Sequence, residues 1–338
     1  MLAGIEIFLS FLVLNIFQKM NLPSFADVPN SRSMHSKPIK KSGGFFFFLI
    51  FWSFLFINIL EENIFYSEYV FLFFSSLFFS ILGLIDDLKN LSSKLKLIIE
   101  LFFVSLILYI FPHKFSIFLF KFNSSLILDN IILTIFIVFI TNLTNFMDGL
   151  DLYLSLTYIF FLLNFSFIGN YKSSTYTDIY IILLLAMSGF FYFNFPNAKM
   201  FMGDSGSLPI GFLISISPLD LEVERFSNDL ISIFTLIPVF LLDGIYTIIK
   251  RGLNKENIFT AHRDHIYQRV QLILGWGKLK TTFIFSGLNI IILFNIILLK
   301  NYINYINIII ISIIIISLIL FLIEYKILKF IHRKEVQY

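Results

Sequence analysis

The chain has 338 residues, 58% of them hydrophobic and only 14% charged, with a net charge of +3 and no cysteine. This composition lies far outside that of soluble domains and excludes disulfides and thiolate metal sites. Apolar stretches long enough to cross a hydrocarbon core of about 30 Å recur throughout, so one all-α polytopic membrane domain over residues 1–338 is expected, whatever the length.

Apolar windows and their breaks predict eleven spans, at 3–18, 43–60, 66–84, 96–112, 125–141, 152–168, 178–194, 207–218, 230–249, 281–299 and 304–323. The first lacks a basic start and runs into a Lys-containing loop, which argues against a signal peptide. Abundant Phe, Ile, Asn and Lys fit an AT-rich genome, so the particular residue at a lipid-facing position carries no message. If the spans alternate, one set of loops holds 20 Lys and Arg and the other holds 5, which places the first set in the cytoplasm. The N-terminus is then outside and the C-terminus cytoplasmic. The polar islands all belong to the cytoplasmic set, while Glu61-Glu62 and residues 220–229 read as solvated outer connectors.

After the first span comes Val28-Pro29-Asn30-Ser31-Arg32-Ser33-Met34-His35-Ser36-Lys37-Pro38, ending in Lys40-Lys41-Ser42-Gly43-Gly44. Arg32, His35 and the lysines form a basic patch suited to a lipid phosphate or an anionic headgroup, although the positive-inside rule asks for some of this charge anyway. At the end of span 66–84, Asp86-Asp87 is either a helix end with a capping carboxylate or part of a site for Mg²⁺ or phosphate, with Lys94 and Lys96 close behind.

In Asn142-Leu-Thr-Asn145-Phe-Met-Asp148-Gly149-Leu-Asp151, the residues Asn142, Asn145 and Asp148 fall on one helix face, and Gly149 permits a break. Amide and carboxylate oxygens are the hard ligands that Mg²⁺ takes alongside substrate phosphate oxygens. An Asn-rich helix end explains the amides but not two acids beside a glycine. In Phe195-Pro196-Asn197-Ala198-Lys199-Met200-Phe201-Met202-Gly203-Asp204-Ser205-Gly206-Ser207, Pro196 ends one helix and a Gly-flanked acid opens the next. That suits a metal-bridged phosphate; a plain Gly-rich turn is the other reading. The stretch 250–280 reads as a long basic loop carrying Ala261-His262-Arg263-Asp264-His265-Ile266-Tyr267-Gln268-Arg269. The arginines favour an anion, a zinc site lacks a third histidine, and a merely solvated loop stays open.

Together these islands resemble the polyprenyl-phosphate N-acetylhexosamine-1-phosphate transferase superfamily (glycosyltransferase family 4), the group containing MraY and WecA. The likeness runs from about residue 29 to 269, with spans 281–323 as C-terminal helices beyond it. Its carriers are the Pro-Asn-x-Arg-Ser-x-His loop, the Asp-Asp pair, Asn-x-x-Asn-x-x-Asp-Gly-x-Asp and Phe-Met-Gly-Asp-x-Gly-Ser, in the family's order. Eleven spans with an outside N-terminus also resemble the WecA branch.

The resemblance implies attack of undecaprenyl or a similar polyprenyl phosphate on a UDP-N-acetyl sugar, giving a lipid-diphospho-sugar and UMP, with Mg²⁺ (or Mn²⁺) as cofactor. It implies Asp204 and Asn145 as metal ligands, Asp86, Asp87 and Asp204 as catalytic groups, and Lys96 at the diphosphate. Phe201 and Asp151 fall to uracil, Asn142 and Asp148 to the nucleotide pocket, His262, Arg263 and His265 to the sugar and its phosphates, and Arg32 and His35 to the lipid phosphate. A bacterial inner-membrane enzyme follows, with a cytoplasmic site that initiates O-antigen or another surface glycan, a homodimer as one open assembly, and no nucleic-acid partner.

The chain departs from the family at three places. Leu152 follows Asp151 where glycine is frequent, Lys40-Lys41-Ser42-Gly43-Gly44 replaces Pro-Arg-Gly-Gly-Gly, and Asn197 replaces a proline. The form His-Arg-Asp-His-x-Tyr-Gln-Arg differs from the His-x-His-His of GlcNAc-specific members and resembles a branch using QuiNAc, FucNAc or bacillosamine-type sugars. A polytopic transporter of an anionic or lipid-linked solute is the alternative. Transporters, however, place polar groups near the midplane and carry internal repeats, neither of which is seen here.

Overall fold

A computed structural model describes residues 2–29, 38–61, 67–112, 116–117, 120–121, 126–168, 175–219, 230–257 and 262–335. The described helices are α1 (Leu2–Lys19), α2 (Gly43–Glu61), α3 (Ser67–Lys89), α4 (Ser93–Ile110), α5 (Leu126–Met147), α6 (Tyr153–Ile168) and α7 (Thr175–Asn194). They continue with α8 (Asp204–Ile216), α9 (Ile233–Leu236), α10 (Pro238–Leu253), α11 (Ile266–Leu274), α12 (Lys278–Gly287), α13 (Ile290–Leu299) and α14 (Tyr305–Glu335). Two antiparallel hairpins, β1 (Ala26–Asp27) with β2 (Ile39–Lys40) and β3 (Ser116–Ile117) with β4 (Phe120–Lys121), are the described strands.

Every apolar segment predicted to span is helical, so the expected all-α class holds. By length and hydropathy, seven described helical segments can cross a membrane, α12 and α13 together counting as one (Lys278–Leu299), and an eighth arises if Leu230–Leu236 and Pro238–Leu253, bent by 107°, form one span. The bend falls at Pro238, whose missing N–H suits a helix start. The remaining difference from eleven has local causes. The helix α4 carries Lys94, Lys96 and Glu100, α6 has 16 residues and α8 only 13. The expected long loop 250–280 contains α11, an amphipathic helix of nine residues closed by Gly275 in the left-handed region. Gln268, Arg269 and Gln271 interrupt its apolar residues, which hid a 3.6-residue period from a search for apolar runs.

Contacts divide the chain into two compact units, Met1–Asp148 with Phe165–Ser232, and Gly149–Asn164 with Ile233–Tyr338. In the first, α8 is the central element, packed against α2, α3 and α5, and every residue after Asp204 is buried. Pro209 stands inside this helix and has no N–H for the Ser205 carbonyl four residues earlier. The Ser80 hydroxyl of α3 supplies the missing bond at 2.7 Å. One turn along α3, Gly83 lies directly against the backbone of Asp204 and Ser205, where a Cβ has no room. In the second unit, α14 packs on α10, α11 and α13.

Candidate active site

The first unit gathers the ends of four helices. Lys96, in the first turn of α4, pairs with Asp204 at the start of α8 and with Asp86 near the end of α3, the latter at 3.0 Å. Asn145, in the last turn of α5, donates Nδ2–H to Asp204 Oδ2 at 3.3 Å. The structure thus brings together Asp86, Lys96, Asn145 and Asp204, which the sequence spreads over 119 positions (86 to 204). Asp204 keeps 29% side-chain exposure, so the cluster is open on one side.

Asp87 stands behind this cluster. Its Oδ1 accepts the Asp204 N–H at 3.1 Å, and its Oδ2 accepts the Ser205 N–H at 3.2 Å and the Ser42 hydroxyl at 2.8 Å. A carboxylate at the positive end of a helix, accepting its free N–H groups, is an N-cap supplied from another helix. Of the two readings of the Asp-Asp pair, Asp87 therefore shows capping, though of α8 and not of its own helix. Asp86 Oδ1 accepts the Leu91 N–H at 2.7 Å, and its Oδ2 accepts from the Lys96 ammonium at 3.0 Å.

The loop before α2 lies beside the loop before α8: Phe201 N–H donates to the Lys40 carbonyl at 2.7 Å and Gly43 N–H to the Phe201 carbonyl at 3.0 Å. Gly203 (φ +73°) makes the turn into α8, and a Cβ there would meet the Asp87 carboxylate. Lys40 is not a free cation, since its ammonium donates to the carbonyls of Phe17, Gln18 and Met20 at the end of α1. Two of the family departures fall at backbone positions of one kind. Ser42 (φ +68°) and Leu152 (φ +63°), both where glycine is usual, keep the left-handed conformation that glycine adopts without strain.

Asn142 donates to Glu100, one turn beyond Lys96, and to the Val138 carbonyl at 3.0 Å. Asp148 lies one residue past α5, its N–H on the Asn145 carbonyl at 3.1 Å, so the expected break comes just before Gly149. Arg32 and His35 lie outside the described residues.

The second unit holds the other expected residues. Asp151, assigned to uracil, is buried and 3.4 Å from Lys278 Nζ. The rings of His262 and His265 are 5.0 Å apart, and His262 Nδ1 is 3.7 Å from Asp264. Burial first, then the nearby His265 and Arg251, pushes His262 down to about 4, so the imidazole is neutral at physiological pH. Arg263 is partly exposed. Arg269, read as an anion-binding cation, is buried and paired with Glu324 of α14, which also accepts from Lys250 at 3.1 Å and Tyr246 at 2.9 Å.

Glu100 and Asp243 were missed because each sits inside an apolar stretch read as span, and Glu324 because it directly follows one. That setting was itself the signal, since an ionisable residue within a span marks a site or a buried pair.

Among the described residues no group of three or more His, Cys, Asp or Glu is placed to hold a metal ion. A carboxylate plus an amide oxygen is nonetheless enough for Mg²⁺ when phosphates complete its shell. Asn145 presently turns Oδ1 to the Ser207 hydroxyl at 2.8 Å, and that hydroxyl also reaches the Gly203 carbonyl at 3.1 Å. Half a turn of the amide keeps these contacts, because Ser207 can accept from Nδ2 while donating to Gly203. Two oxygens, of Asn145 and Asp204, then face one another as a cation requires. The residues fit the ion.

The sequence model described as Glycosyl transferase family 4 matches residues 69–222, which hold the whole Asp86–Lys96–Asn145–Asp204 cluster. The chain is 33% identical over 270 residues to a phospho-N-acetylmuramoyl-pentapeptide-transferase of Dictyoglomus thermophilum, covering 74% of this chain and 80% of the relative. It is 30% identical to a probable undecaprenyl-phosphate N-acetylglucosaminyl 1-phosphate transferase of Bacillus subtilis, over 72% and 69% of the two chains. It is 29% identical to an undecaprenyl-phosphate alpha-N-acetylglucosaminyl 1-phosphate transferase of Thermotoga maritima, over 84% of each.

Proposed function

The chain belongs to the polyprenyl-phosphate sugar-phosphate transferases of glycosyl transferase family 4, and we propose that it transfers an N-acetylated sugar-1-phosphate from a UDP-sugar to undecaprenyl phosphate. An oxygen of the lipid phosphate attacks the sugar-linked phosphorus. The bond from that phosphorus to the bridging oxygen breaks, UMP leaves with that oxygen, and a lipid-diphospho-sugar forms. The observation that carries the reading is the convergence of Asp86, Lys96, Asn145 and Asp204 at one end of the first unit.

Phosphoryl transfer asks mainly for positioning and charge neutralisation. Lys96 supplies a cation between two carboxylates, and Asp204 with Asn145 would hold Mg²⁺, or Mn²⁺ in its place. When bound, the ion neutralises the diphosphate of the UDP-sugar. A phosphate monoester is largely ionised at neutral pH, its second pKa being about 6, so no strong base is required. Asp86 is assigned to steering the lipid phosphate, while Asp87 acts by holding the start of α8. Phe201, Asn142, Asp148 and Asp151 are assigned to the nucleotide, His262, Arg263 and His265 to the sugar and its phosphates, and Arg32 and His35 to the lipid headgroup. Eleven crossings with the N-terminus outside and the site facing the cytoplasm of a bacterial inner membrane complete the reading, and a surface glycan is its destination. The His-Arg-Asp-His form supports a modified N-acetyl sugar as donor.

The test is UMP release by purified protein in detergent with Mg²⁺, undecaprenyl phosphate and a panel of UDP-sugars. Release with at least one sugar, lost in Asp204→Asn, is expected. No release with any sugar, or full activity in the variant, overturns the reading.

A further inference from the structure

Three buried polar residues, Asp243, Thr247 and Arg251, follow one another at four-residue intervals along one face of α10. The two outer ones reach the chain segment that carries His262 and His265. Asp243 Oδ1 accepts the Ile266 N–H at 2.8 Å and Oδ2 accepts the Tyr267 N–H at 3.3 Å. Thr247 donates to Asp243 Oδ1 at 3.3 Å, and Arg251 pairs with Asp264 and donates to the Asn257 carbonyl at 2.8 Å. The segment is therefore held on both sides of His265 by a single helix.

The start of α11 shows why an imported group is needed. Its N-cap residue is His265, which makes no side-chain capping bond to the helix. The first N–H groups of a helix need an acceptor when buried, and Asp243, with 0% exposure, provides one from α10. The same carboxylate has a second neighbour: His265 Nδ1 lies 3.5 Å from Asp243 Oδ1, and the His265 ring stacks at 5.7 Å on Tyr267. The Asp243 carboxylate thus faces the Nδ1 edge of the buried His265 ring.

We infer that Asp243 is a positioning residue: it seats the first turn of α11 and fixes the ring of His265, so that the His262–His265 segment meets the sugar end of the donor in one orientation. This inference rests on the transferase reading given above. It adds an agent outside the His-Arg-Asp-His motif that governs how well the donor is held, and it assigns no bond-making step to Asp243.

The variant Asp243→Asn keeps the size of the side chain but turns one acceptor into a donor, facing an N–H or the histidine. Two measurements on the full-length protein in detergent test the inference. In hydrogen exchange, the peptide containing Ile266 and Tyr267 should exchange at least about tenfold faster than in the wild type, while peptides of α8 are unchanged; equal exchange overturns the seating. In steady-state assays, KM for the UDP-sugar should rise on the order of tenfold with kcat within about threefold, as for a group that orients a binding residue. The double variant Asp243→Asn with His265→Gln should then be no worse than His265→Gln alone. Unchanged KM, or multiplicative losses in the double variant, overturns the role through His265. Asp243→Glu should recover part of the lost affinity. If the wild type releases no UMP from any UDP-sugar, the transferase reading fails and takes the donor-positioning role with it, while exchange still decides the seating.

Discussion

Asp87 holds Asp204 by its main chain, accepting the Asp204 N–H at 3.1 Å, while the Asp204 side chain points to Lys96 and Asn145. One carboxylate thus caps a helix while the other faces the cluster, and if Asp204 holds the ion as proposed, their variants should behave differently. Asp87→Asn should lower stability by about 2–3 kcal/mol, because a buried acceptor of three hydrogen bonds becomes partly a donor. Asp204→Asn should abolish UMP release and leave the melting temperature within a few degrees of the wild type. Thermal melts in detergent beside UMP assays separate the two.

Ser42 tests whether backbone strain is offset by its hydrogen bond to Asp87. Ser42→Ala loses a bond to a carboxylate, about 1.5–3 kcal/mol, and stays in the left-handed region. Ser42→Gly loses the same bond but relieves about 1–2 kcal/mol of strain. The expected order of melting temperatures is wild type, then Gly, then Ala. Ala above Gly would show that the conformation costs little.

Lys96 lies between Asp86 and Asp204, so Lys96→Met should leave two carboxylates facing each other and cut turnover by at least about a hundredfold, in line with loss of one preorganised electrostatic contact. EDTA should also stop turnover and added Mg²⁺ should restore it. Turnover in EDTA would remove the metal from the proposed site while leaving the role of Lys96 open to its own variant.

His262 gives a pH dependence of defined sign. Its folded-state pKa is pushed down to about 4, whereas the unfolded chain titrates near 6.5. Above about 6.5 both states are neutral; between that value and about 4 the unfolded chain takes up the proton first, so stability falls with falling pH. Wild-type protein should lose more melting temperature between pH 7 and 4.5 than His262→Gln does. Parallel losses would place the histidine's pKa near its ordinary value.

The buried pair of Arg269 and Glu324 ties α11 to α14. Removing one partner leaves the other charge buried, so Glu324→Gln should cost about 3–5 kcal/mol. The double variant Glu324→Met with Arg269→Met should recover most of this. A double variant worse than Glu324→Gln would mean that the ions themselves are required.

The sequence made the elements and the first-unit cluster legible because polar residues are so costly in lipid that each island had to mark a helix end. Asp86, Lys96, Asn145 and Asp204, which the family resemblance groups, lie together in the structure. Less legible was the direction of each side chain. Asp86 and Asp87 are neighbours in sequence, yet about 100° apart on a helix, so one faces the open cluster and the other the buried start of α8. The helix α11 was missed because its apolar face is short, and Asp243 because it lies inside an apolar run, where its acceptor role depends on a segment more than twenty positions later.

Ser80, Gly83 and Asp87 lie three and four positions apart on α3, and all three touch the beginning of α8. Each step along an α-helix advances about 1.5 Å and turns about 100°. A residue inserted or deleted between Ser80 and Asp87 would therefore throw the hydroxyl, the gap for the neighbouring backbone and the carboxylate out of register together. In this part of the chain spacing is constrained as tightly as identity: exposed residues such as Ile81 and Ile85 can drift, but the number of residues between these three cannot change.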